Sequence, residues 1–395
     1  MQNYYIGTYT NPILFGTGEV LQGKGKGIYR AELDEEEQTL NILGVAAEAE
    51  NPSYLAVSPD RKYLYAVNEL KQYEQEDAGS VSSFRIIRRP EGAGTYRTIP
   101  CPEGAGTYRT IPCPEGAGTY RTTNASGDLE LIDTTSTHGQ DPCFVAACLD
   151  GSAVMVANFM TGSVCSYAVD EKGALHERSF VQHQGSSIHP VRQKGPHAHS
   201  CIPIPGTDKV LIPDLGIDKL VVYRVMQNGE LLFCENEGYD CQPGSGPRFG
   251  EFLAGTDILY IINELESSIS VLDYDRQSGT FVSIQQITTL PAACENICAD
   301  LHITPDGQFL YASNRGHDSI TSYKIQADGT LKWLANVPCG GRTPRNFAIS
   351  ESGKTLLVGN QDTDEIVLFA VDQTTGILTE GKHIPVPTPV CICRA

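Results

Sequence analysis

The sequence has no apolar run of the length that a membrane-spanning helix needs, roughly 18 consecutive residues. It is also poor in positive charge: 29 Lys and Arg stand against 48 Asp and Glu, which gives a formal net charge of −19. Such a surface repels phosphate backbones and anionic lipid headgroups, so we expect neither nucleic acid nor a membrane as a partner. The first residues, MQNYYIGTYTN, lack the basic and apolar regions of a secretory signal, which predicts a cytoplasmic protein.

Several common catalytic and metal-binding motifs are missing as well. The sequence contains no CxxC pair, no HExxH and no GxSxG, and its glycine-rich segment GTGEVLQGKGKG does not match a phosphate-binding P-loop. The 13 cysteines have no histidine partners at zinc-ligand spacing, and their odd number favours reduced thiols that act as small apolar residues. We therefore expect no metal ion and no organic cofactor.

What the sequence does contain is an internal repeat. One unit recurs six times at intervals of roughly 50 residues, apart from one longer interval that holds an insertion. Each unit has a short strand, a tight turn, a second strand that ends in Asn or Asp, and a third strand rich in Val, Ile and Tyr. The first two strands of the units read NPSYLAVSPDRKYLYAVNEL, DPCFVAACLDGSAVMVANFM, PHAHSCIPIPGTDKVLIPDL, GPRFGEFLAGTDILYIINEL, CADLHITPDGQFLYASNRG and TPRNFAISESGKTLLVGNQD.

Four strands per repeat of this length predict the blades of a β-propeller. The terminal segments NYYIGTYT, GKGIYRAELD and HIPVPTPVCICRA supply strands for one blade beyond the six complete units. We predict an all-β protein, a single seven-bladed β-propeller over residues 1–395 with four-stranded antiparallel blades. The N- and C-terminal strands would close the ring and so remove exposed sheet edges.

Residues 90–125 form an insertion built from tandem repeats of 12 residues. The segment PEGAGTYRTIPC occurs at Pro90–Cys101 and again at Pro102–Cys113, and an altered copy begins at Pro114. It lies between the third strand of the first full unit and its fourth strand, DLELID. Its Gly and Pro content predicts an extended surface loop. Identical copies favour a recent duplication or a sequencing error over a selected function, and a Tyr-Arg partner site is the alternative.

Functional side chains of a propeller are expected at equivalent positions of the repeat that line a central pocket. The residue after the terminal Asn or Asp changes its chemical character from unit to unit, and so does the residue after the Pro that opens the unit. The first set is Glu69, Phe159, Leu215, Glu264, Arg315 and Gln361. The second set is Ser53, Cys143, His197, Arg248, Asp300 and Arg345. Both sets predict one polar pocket on the side of the later blades.

Arginines and histidines dominate the candidate site. Clustered Arg in a chain of net charge −19 indicates a small anionic substrate, because guanidinium groups match the oxygens of carboxylates and phosphates. The pair His197 and His199 would place both rings on one face of a strand, which suits a site or a hydrogen-bonded edge strand. Each charge alone could be a solvated loop residue, but their convergence favours a site. The candidates are His197, His199, Arg248, Glu264, Arg315 and Arg345, with His302 and Asn346 nearby.

The chain resembles the seven-bladed propeller lactonase family over nearly its whole length outside the 12-residue repeats. The resemblance is carried by the segments PHAH, GPR, NEL, ASNRGHDSI and TPRNFAIS and by the opening YIGTYT…GKGIYRAELD. That family contains bacterial 6-phosphogluconolactonases and the fungal 3-carboxy-cis,cis-muconate lactonizing enzyme. Matching the motifs assigns the GPR arginine to Arg248, the NE glutamate to Glu264 and the SNRGH arginine to Arg315. Many members continue GPR with His, whereas this chain has Phe249, which removes one secondary polar contact.

The resemblance implies a lactonase that hydrolyses a sugar-acid lactone, 6-phospho-D-glucono-1,5-lactone, as in the pentose phosphate pathway. The implied catalytic residues are His197 or His199, Arg248, Glu264 and Arg315. We add Arg345, Asn346, His302, Asn263 and Asn314 as substrate-binding residues. The alternatives are a muconate-type lactonizing cycloisomerase and a non-catalytic propeller that binds partners at its rim. A metal-dependent gluconolactonase is a further variant, favoured only if Glu, Asn and Asp side chains converge at ion-bonding distances. The sequence leaves the oligomeric state open and is compatible with a monomer.

Overall fold

The computed structural model describes residues 1–15, 18, 20–87, 96–99, 109–112 and 129–395. Seven antiparallel sheets form a ring, and each contributes four strands that run in order from the centre to the rim. The predicted seven-bladed β-propeller is confirmed. The helical content of the described residues is two short 3-10 turns, Leu149–Gly151 and Gln361–Thr363.

We number the blades from the one that contains both chain ends and give the strands of each from inside to outside. Blade 1 has Pro389–Arg394, Gln2–Thr8, Ile28–Asp34 and Thr39–Ala47. Blade 2 has Pro52–Val57, Tyr63–Asn68, Ser80–Ile86 and Leu129–Ser136. Blade 3 has Pro142–Cys148, Ala153–Asn158, Ser163–Val169 and Leu175–Gln182.

Blades 4 to 7 continue in chain order. Blade 4 has Ile202–Pro203, Lys209–Asp214, Lys219–Val225 and Leu231–Phe233, with Tyr239–Asp240 also paired to its third strand. Blade 5 has Pro247–Phe252, Ile258–Asn263, Ser268–Asp275 and Thr280–Thr288. Blade 6 has Ile297–Ile303, Phe309–Arg315, Ser319–Ile325 and Leu331–Pro338. Blade 7 has Pro344–Ile349, Thr355–Asn360, Glu365–Val371 and Leu378–Pro385.

The ring closes in blade 1, as the terminal strands predict. The C-terminal strand is the innermost one and pairs antiparallel with the first strand of the chain, with Ile392 opposite Ile6 and Cys391 opposite Gly7. A Cβ at Gly7 would lie 2.2 Å from the backbone oxygen of Pro52 in blade 2. Only glycine therefore permits the close approach of these two blades at the seam.

The hydrophobic core is divided into layers between neighbouring blades. Between blades 5 and 6, for example, Tyr260 and Ile262 pack with Leu301 and Leu310, all of them fully buried. The second strand of blade 3, Ala153–Asn158, is buried along its whole length because blades cover both of its faces. Burial of apolar surface on both sides of every blade, at about 25 cal/mol per Å², holds the ring together.

The Asn that ends the second strand of a unit has a recurring structural partner. The Asn68, Asn158, Asn314 and Asn360 side chains each donate to the backbone carbonyl of the segment that arrives from the rim before their blade begins, at 2.8 to 3.2 Å. These bonds tie the second strand to the incoming chain in blades 2, 3, 6 and 7. The repeated Asn thus has a role in blade geometry, and the residue after it points toward the centre of the ring.

Two short hairpins lie outside the blades. Ile13–Leu14 pairs with Val20–Leu21 between two strands of blade 1, and Tyr96–Ile99 pairs with Arg109–Pro112 within the insertion. The second hairpin adds regular structure to a segment that we predicted as an extended loop, while the rest of that insertion lies outside the described residues. Within the described ranges, no helix is long and apolar enough to cross a membrane.

Candidate active site

A central cavity of about 1080 Å³ opens on one side of the ring. All seven blades contribute to its wall, and five of the six residues that follow a terminal Asn or Asp line it. Those five are Glu69, Phe159, Glu264, Arg315 and Gln361. Leu215 is buried and does not line the cavity. The residue after the terminal Asn or Asp could be identified from the sequence because the second strand of each blade ends where the inner strands surround the central axis.

Glu264 is the centre of a charge cluster on the wall formed by blades 4 to 6. Its Oε1 accepts a bond from Arg192 at 2.6 Å, and its Oε2 accepts bonds from Arg248 at 3.0 Å and Arg315 at 2.7 Å. The carboxylate is buried, and burial alone would raise its pKa, but the charges of Arg315, Arg192 and Arg248 together hold the pKa well below its usual range. Glu264 therefore stays ionised and holds three guanidinium groups around one carboxylate.

Arg192 is a member of this cluster that sequence reasoning missed. It lies in the segment 183–201, between the outer strand of blade 3 and the inner strand of blade 4, and lines the cavity. Its guanidinium carbon is 5.9 Å from the ring centroid of Phe159, within the range of a cation–π contact. The segment that carries it does not repeat in the other blades, so a comparison of repeat positions could not find it.

Arg315 offers unused hydrogen-bonding capacity to the cavity. Its Nη2 donates to Glu264 and to the backbone oxygen of Cys298 at 2.8 Å, whereas its buried Nε has no partner among the described residues. Burial, reinforced by the neighbouring arginines and opposed by Glu264, lowers the pKa of Arg315 to about 10. The guanidinium is thus still charged at neutral pH.

Arg248 contacts Glu264 on the side away from the cavity. Its Nε donates to Glu264 and its Nη1 to the backbone oxygen of Ala299, and it does not line the central cavity. It lines a small adjoining pocket of about 20 Å³ that shares Cys143, His199 and Arg345 with the central cavity. The position of Arg248 suits a residue that fixes Glu264 and contributes positive charge beneath the cavity wall.

The two histidines of the HxH pair have different surroundings. Both rings contact Phe159, with His197 stacked at 4.7 Å and His199 edge-on at 5.3 Å between ring centroids. His199 lines the cavity, and burial together with Arg248 lowers its pKa well below the usual value, so its imidazole is neutral at pH 7. His197 donates from Nδ1 to the backbone oxygen of Phe159 at 2.8 Å and does not line the cavity. The geometry favours His199 of the two.

The opposite wall, formed by blades 2 and 3, is acidic. Glu69 and Asp141 both line the cavity there. Oε2 of Glu69 accepts a bond from the hydroxyl of Tyr9 at 2.8 Å and lies 3.6 Å from Nη2 of Arg345. Asp141 pairs with Lys71. The cavity thus has a basic side, where Arg192 and Arg315 are exposed to it, and an acidic side.

The remaining candidates separate into one that faces the cavity and four that do not. Arg345 lines it, with its guanidinium carbon 5.6 Å from the ring centroid of Tyr9. Asn346 lines only the small pocket and bonds to Asp300 at 2.6 Å. His302 lies between Asp300 and Glu251, 3.2 Å from each carboxylate. Asn263 and Asn314 are fully buried, and their amides bond to nearby hydroxyl groups.

Metal-ligating side chains do not converge in the described part of the chain. No group of three or more His, Cys, Asp or Glu side chains there could hold a metal ion. The described cysteines are all free thiols. Cys143 has its Sγ 3.7 Å from Nδ1 of His199, and Cys298 has its Sγ 3.4 Å from Oδ1 of Asn314.

Comparison with known proteins identifies the family of the chain. The family profile described as "Lactonase, 7-bladed beta-propeller" matches residues 3–98 and 114–393. The chain belongs to this lactonase family. A protein named 6-phosphogluconolactonase from Bacillus subtilis is 30% identical over 393 residues, which cover 98% of this chain and 97% of the relative. Another of that name, from Formosa agariphila, is 30% identical over 90% of this chain and 91% of its own length.

Solved structures in the family have the same fold. A Pseudomonas aeruginosa protein described as a periplasmic gluconolactonase superposes with a TM-score of 0.82 at 27% identity, covering 100% of this chain and 99% of that one. The family profile skips residues 99–113, which fall within the two identical 12-residue copies. Residues 99–113 thus lie outside the family profile, whereas the cavity residues lie in the matched part.

Proposed function

We propose that this lactonase hydrolyses 6-phospho-D-glucono-1,5-lactone to 6-phosphogluconate. The observation that carries the proposal is the excess of positive charge on one wall of the cavity, where three guanidinium groups share the single carboxylate of Glu264. Arg192 and Arg315 both line the cavity. Such a pair binds a phosphate through several charge-assisted hydrogen bonds.

The same charges serve the chemical step. Water attacks the lactone carbonyl, and the carbonyl oxygen becomes an oxyanion that a fixed guanidinium stabilises; removal of one such donor in other enzymes costs about 10²–10³ in rate. With the phosphate held by Arg192 and Arg315, Arg345 is placed to polarise the carbonyl from blade 7. Glu264 and Arg248 fix this arrangement. The neutral His199 donates or accepts a hydrogen bond at a substrate hydroxyl.

Two members of the predicted catalytic set are poor proton acceptors. Glu264 binds three arginines, and its low pKa makes its conjugate base weak. The pKa of His199 is lowered by burial and by the charge of Arg248, so a proton taken from water would be held weakly there too. Fixing the arginines, for Glu264, and a hydrogen bond to a substrate hydroxyl, for His199, therefore account for these residues better than general base catalysis does.

The test is hydrolysis of freshly generated 6-phosphogluconolactone, coupled to 6-phosphogluconate dehydrogenase and corrected for the uncatalysed rate. We expect acceleration by the wild type, loss of most of it in Arg315→Ala, and full activity in the matched variant Arg85→Ala, whose side chain is exposed and pairs with Glu130 at 3.1 Å. If the protein hydrolyses unphosphorylated glucono-1,5-lactone alone, the proposal of a phosphorylated substrate is wrong. Turnover of a muconate-type diacid alone would support the cycloisomerase alternative. If the folded protein turns over none of these substrates, the result would support a non-catalytic propeller that binds partners at its rim.

A further inference from the structure

The acidic wall of the cavity holds a carboxylate with an unused acceptor. Asp141 is 4% exposed and lines the cavity immediately before the inner strand of blade 3. Its Oδ2 pairs with Lys71, whereas its buried Oδ1 has no hydrogen-bond partner among the described residues. Because a buried acceptor without a donor is destabilising, this oxygen favours a bond from a water molecule or a substrate hydroxyl that reaches it.

We propose that Asp141 is the general base of the lactonase, taking a proton from the attacking water through its free Oδ1. This inference rests on the proposed function, since it needs a lactone carbonyl in the cavity. Arg315 lies in blade 6, across the ring from Asp141, so a substrate whose phosphate it binds extends from it toward Asp141. Arg345, which contacts Glu69 beside Asp141, polarises the same carbonyl.

The step balances without any further reagent. Water oxygen bonds to the carbonyl carbon while one water proton moves to Oδ1 of Asp141, giving a tetrahedral oxyanion. The oxyanion collapses, the bond from carbon to the ring oxygen breaks, and the ring oxygen takes the proton back from Asp141 as it becomes a hydroxyl. The new carboxylic acid then releases its own proton to solvent, and Asp141 is ready for another turnover.

The electrostatics of the site suit this role. The titratable groups that face Asp141 are Glu69, Lys71, Tyr9 and Cys143. Burial and the charge of Glu69 raise the pKa of Asp141 to about 6, and Lys71 limits the rise. Burial raises the pKa of Tyr9 and Cys143 well above their usual values, so both are neutral near pH 7. Asp141 is thus mostly ionised at pH 7 but far more basic than an exposed Asp.

The experiment is the pH profile of kcat/KM between pH 4.5 and 8, measured on the phosphorylated and the unphosphorylated lactone. We expect an acid limb near pH 6 in the wild type, and a loss of about 10²–10⁴-fold together with that limb in Asp141→Asn. Glu69→Gln removes the charge that raises the pKa, so the limb moves to lower pH. Lys71→Met removes the positive charge that limits the rise of this pKa, so the acid limb moves to higher pH. A substrate phosphate, which also titrates near 6, cannot shift in this way.

The outcomes separate the two proposals. A limb that stays in place in both Glu69→Gln and Lys71→Met, or an Asp141→Asn variant with wild-type kcat/KM, overturns the role of Asp141 and leaves the lactonase activity standing. No acceleration of either lactone by folded wild type overturns both. Thermal unfolding of each variant checks that it is folded. If Asp141→Asn does not fold, the opposite shifts of the acid limb in Glu69→Gln and Lys71→Met decide whether Asp141 is the base.

Discussion

Arg192 and Arg315 donate to different oxygens of one carboxylate, at 2.6 Å to Oε1 and 2.7 Å to Oε2 of Glu264. One arginine comes from the segment before blade 4 and the other from the second strand of blade 6, while the carboxylate belongs to blade 5 between them. The width of a carboxylate thus sets the spacing of two guanidinium groups at the cavity. This spacing is fixed before a ligand arrives, so little conformational entropy is lost on binding.

The first prediction concerns the carboxylate. In Glu264→Gln the three arginines lose their shared counter-charge and repel one another in a buried position. We expect unfolding to become easier by about 3 kcal/mol or more, as for other broken buried ion pairs, and kcat/KM to fall about 10²-fold as the arginines move apart. Urea unfolding and the coupled lactone assay measure the two effects. The control Glu266→Gln changes an exposed residue nearby and should behave as the wild type; an equally stable Glu264→Gln would contradict the cluster's role.

The second prediction separates phosphate binding from carbonyl chemistry. Arg192→Ala removes one guanidinium from the basic wall and leaves Glu264 with Arg248 and Arg315. Because a hydrogen bond to a charged group contributes about 1.5–3 kcal/mol, KM for the phosphorylated lactone should rise about 10- to 100-fold. The kcat/KM for unphosphorylated glucono-1,5-lactone should change less than about 3-fold. Equal losses on both substrates would place the substrate phosphate elsewhere.

The third prediction concerns stability and pH at His302. Burial lowers the pKa of this residue, but Asp300 and Glu251 outweigh burial and raise it to about 10. A raised pKa stabilises the fold fully below the unfolded value of about 6.5, and this stabilisation is lost as the pH rises toward 10. The side chain is 26% exposed, which reduces the effect through solvent screening to a few kcal/mol.

The measurement compares wild type with His302→Gln by urea unfolding at pH 6, 8 and 9.5. We expect the variant to be less stable by roughly 2 kcal/mol at pH 6 and the difference to shrink as the pH rises. Because both proteins carry the same other titratable groups, the difference isolates His302. A difference that grows with pH would mean that the residue is neutral in the folded protein.

The fourth prediction concerns the 12-residue repeats. Deletion of Pro102–Cys113 removes one of two identical copies from a region that the family profile skips. We expect the urea midpoint and kcat/KM to stay within error of the wild type. Deletion of Pro389–Ala395 removes fewer residues but takes away the inner strand of blade 1, so we expect it to abolish cooperative unfolding. A similar effect of both deletions would assign the repeats a structural role.

Much of the fold could be predicted because each blade repeats the same strand pattern. The seventh blade followed from the leftover strands at the two chain ends, which pair as expected. The cavity positions of Glu264 and Arg315 followed because the end of the second strand faces the axis in every unit. The cytoplasmic location stays a prediction, and the Pseudomonas neighbour is described as periplasmic.

Sequence reasoning missed Arg192 and Asp141 because they lie outside the repeat positions that were compared. Arg192 occupies a segment with no counterpart in other units. Asp141 stands one position before the opening Pro, where Asn51 and Thr343 stand in blades 2 and 7, and all three have a positive φ. Their backbone turns into the inner strand at that point, which brings the side chain of Asp141 to the cavity wall. A comparison of the residues that precede the opening Pro in each unit would have identified Asp141 and Thr343 as cavity residues.

Asn263 and Asn314 were predicted as substrate-binding residues for a reason that the structure explains. They immediately precede Glu264 and Arg315, but alternate residues of a strand point to opposite sides, so the Asn side chains turn into the blade. Asn314 makes the backbone bond that recurs in blades 2, 3, 6 and 7, whereas Asn263 donates to the hydroxyls of Ser268 and Ser270. Variation from unit to unit was the better sign of a cavity residue.

The pairing in blade 1 also constrains the order of events during synthesis. Residues 2–8 are synthesised long before their inner neighbour, Pro389–Arg394. Until residues 389–394 are made, the nascent chain is an open arc in which the strand Gln2–Thr8 has an unpaired edge. A ribosome that stalls within blade 7 therefore releases an arc that holds most of the cavity residues but in which the walls of the cavity do not meet.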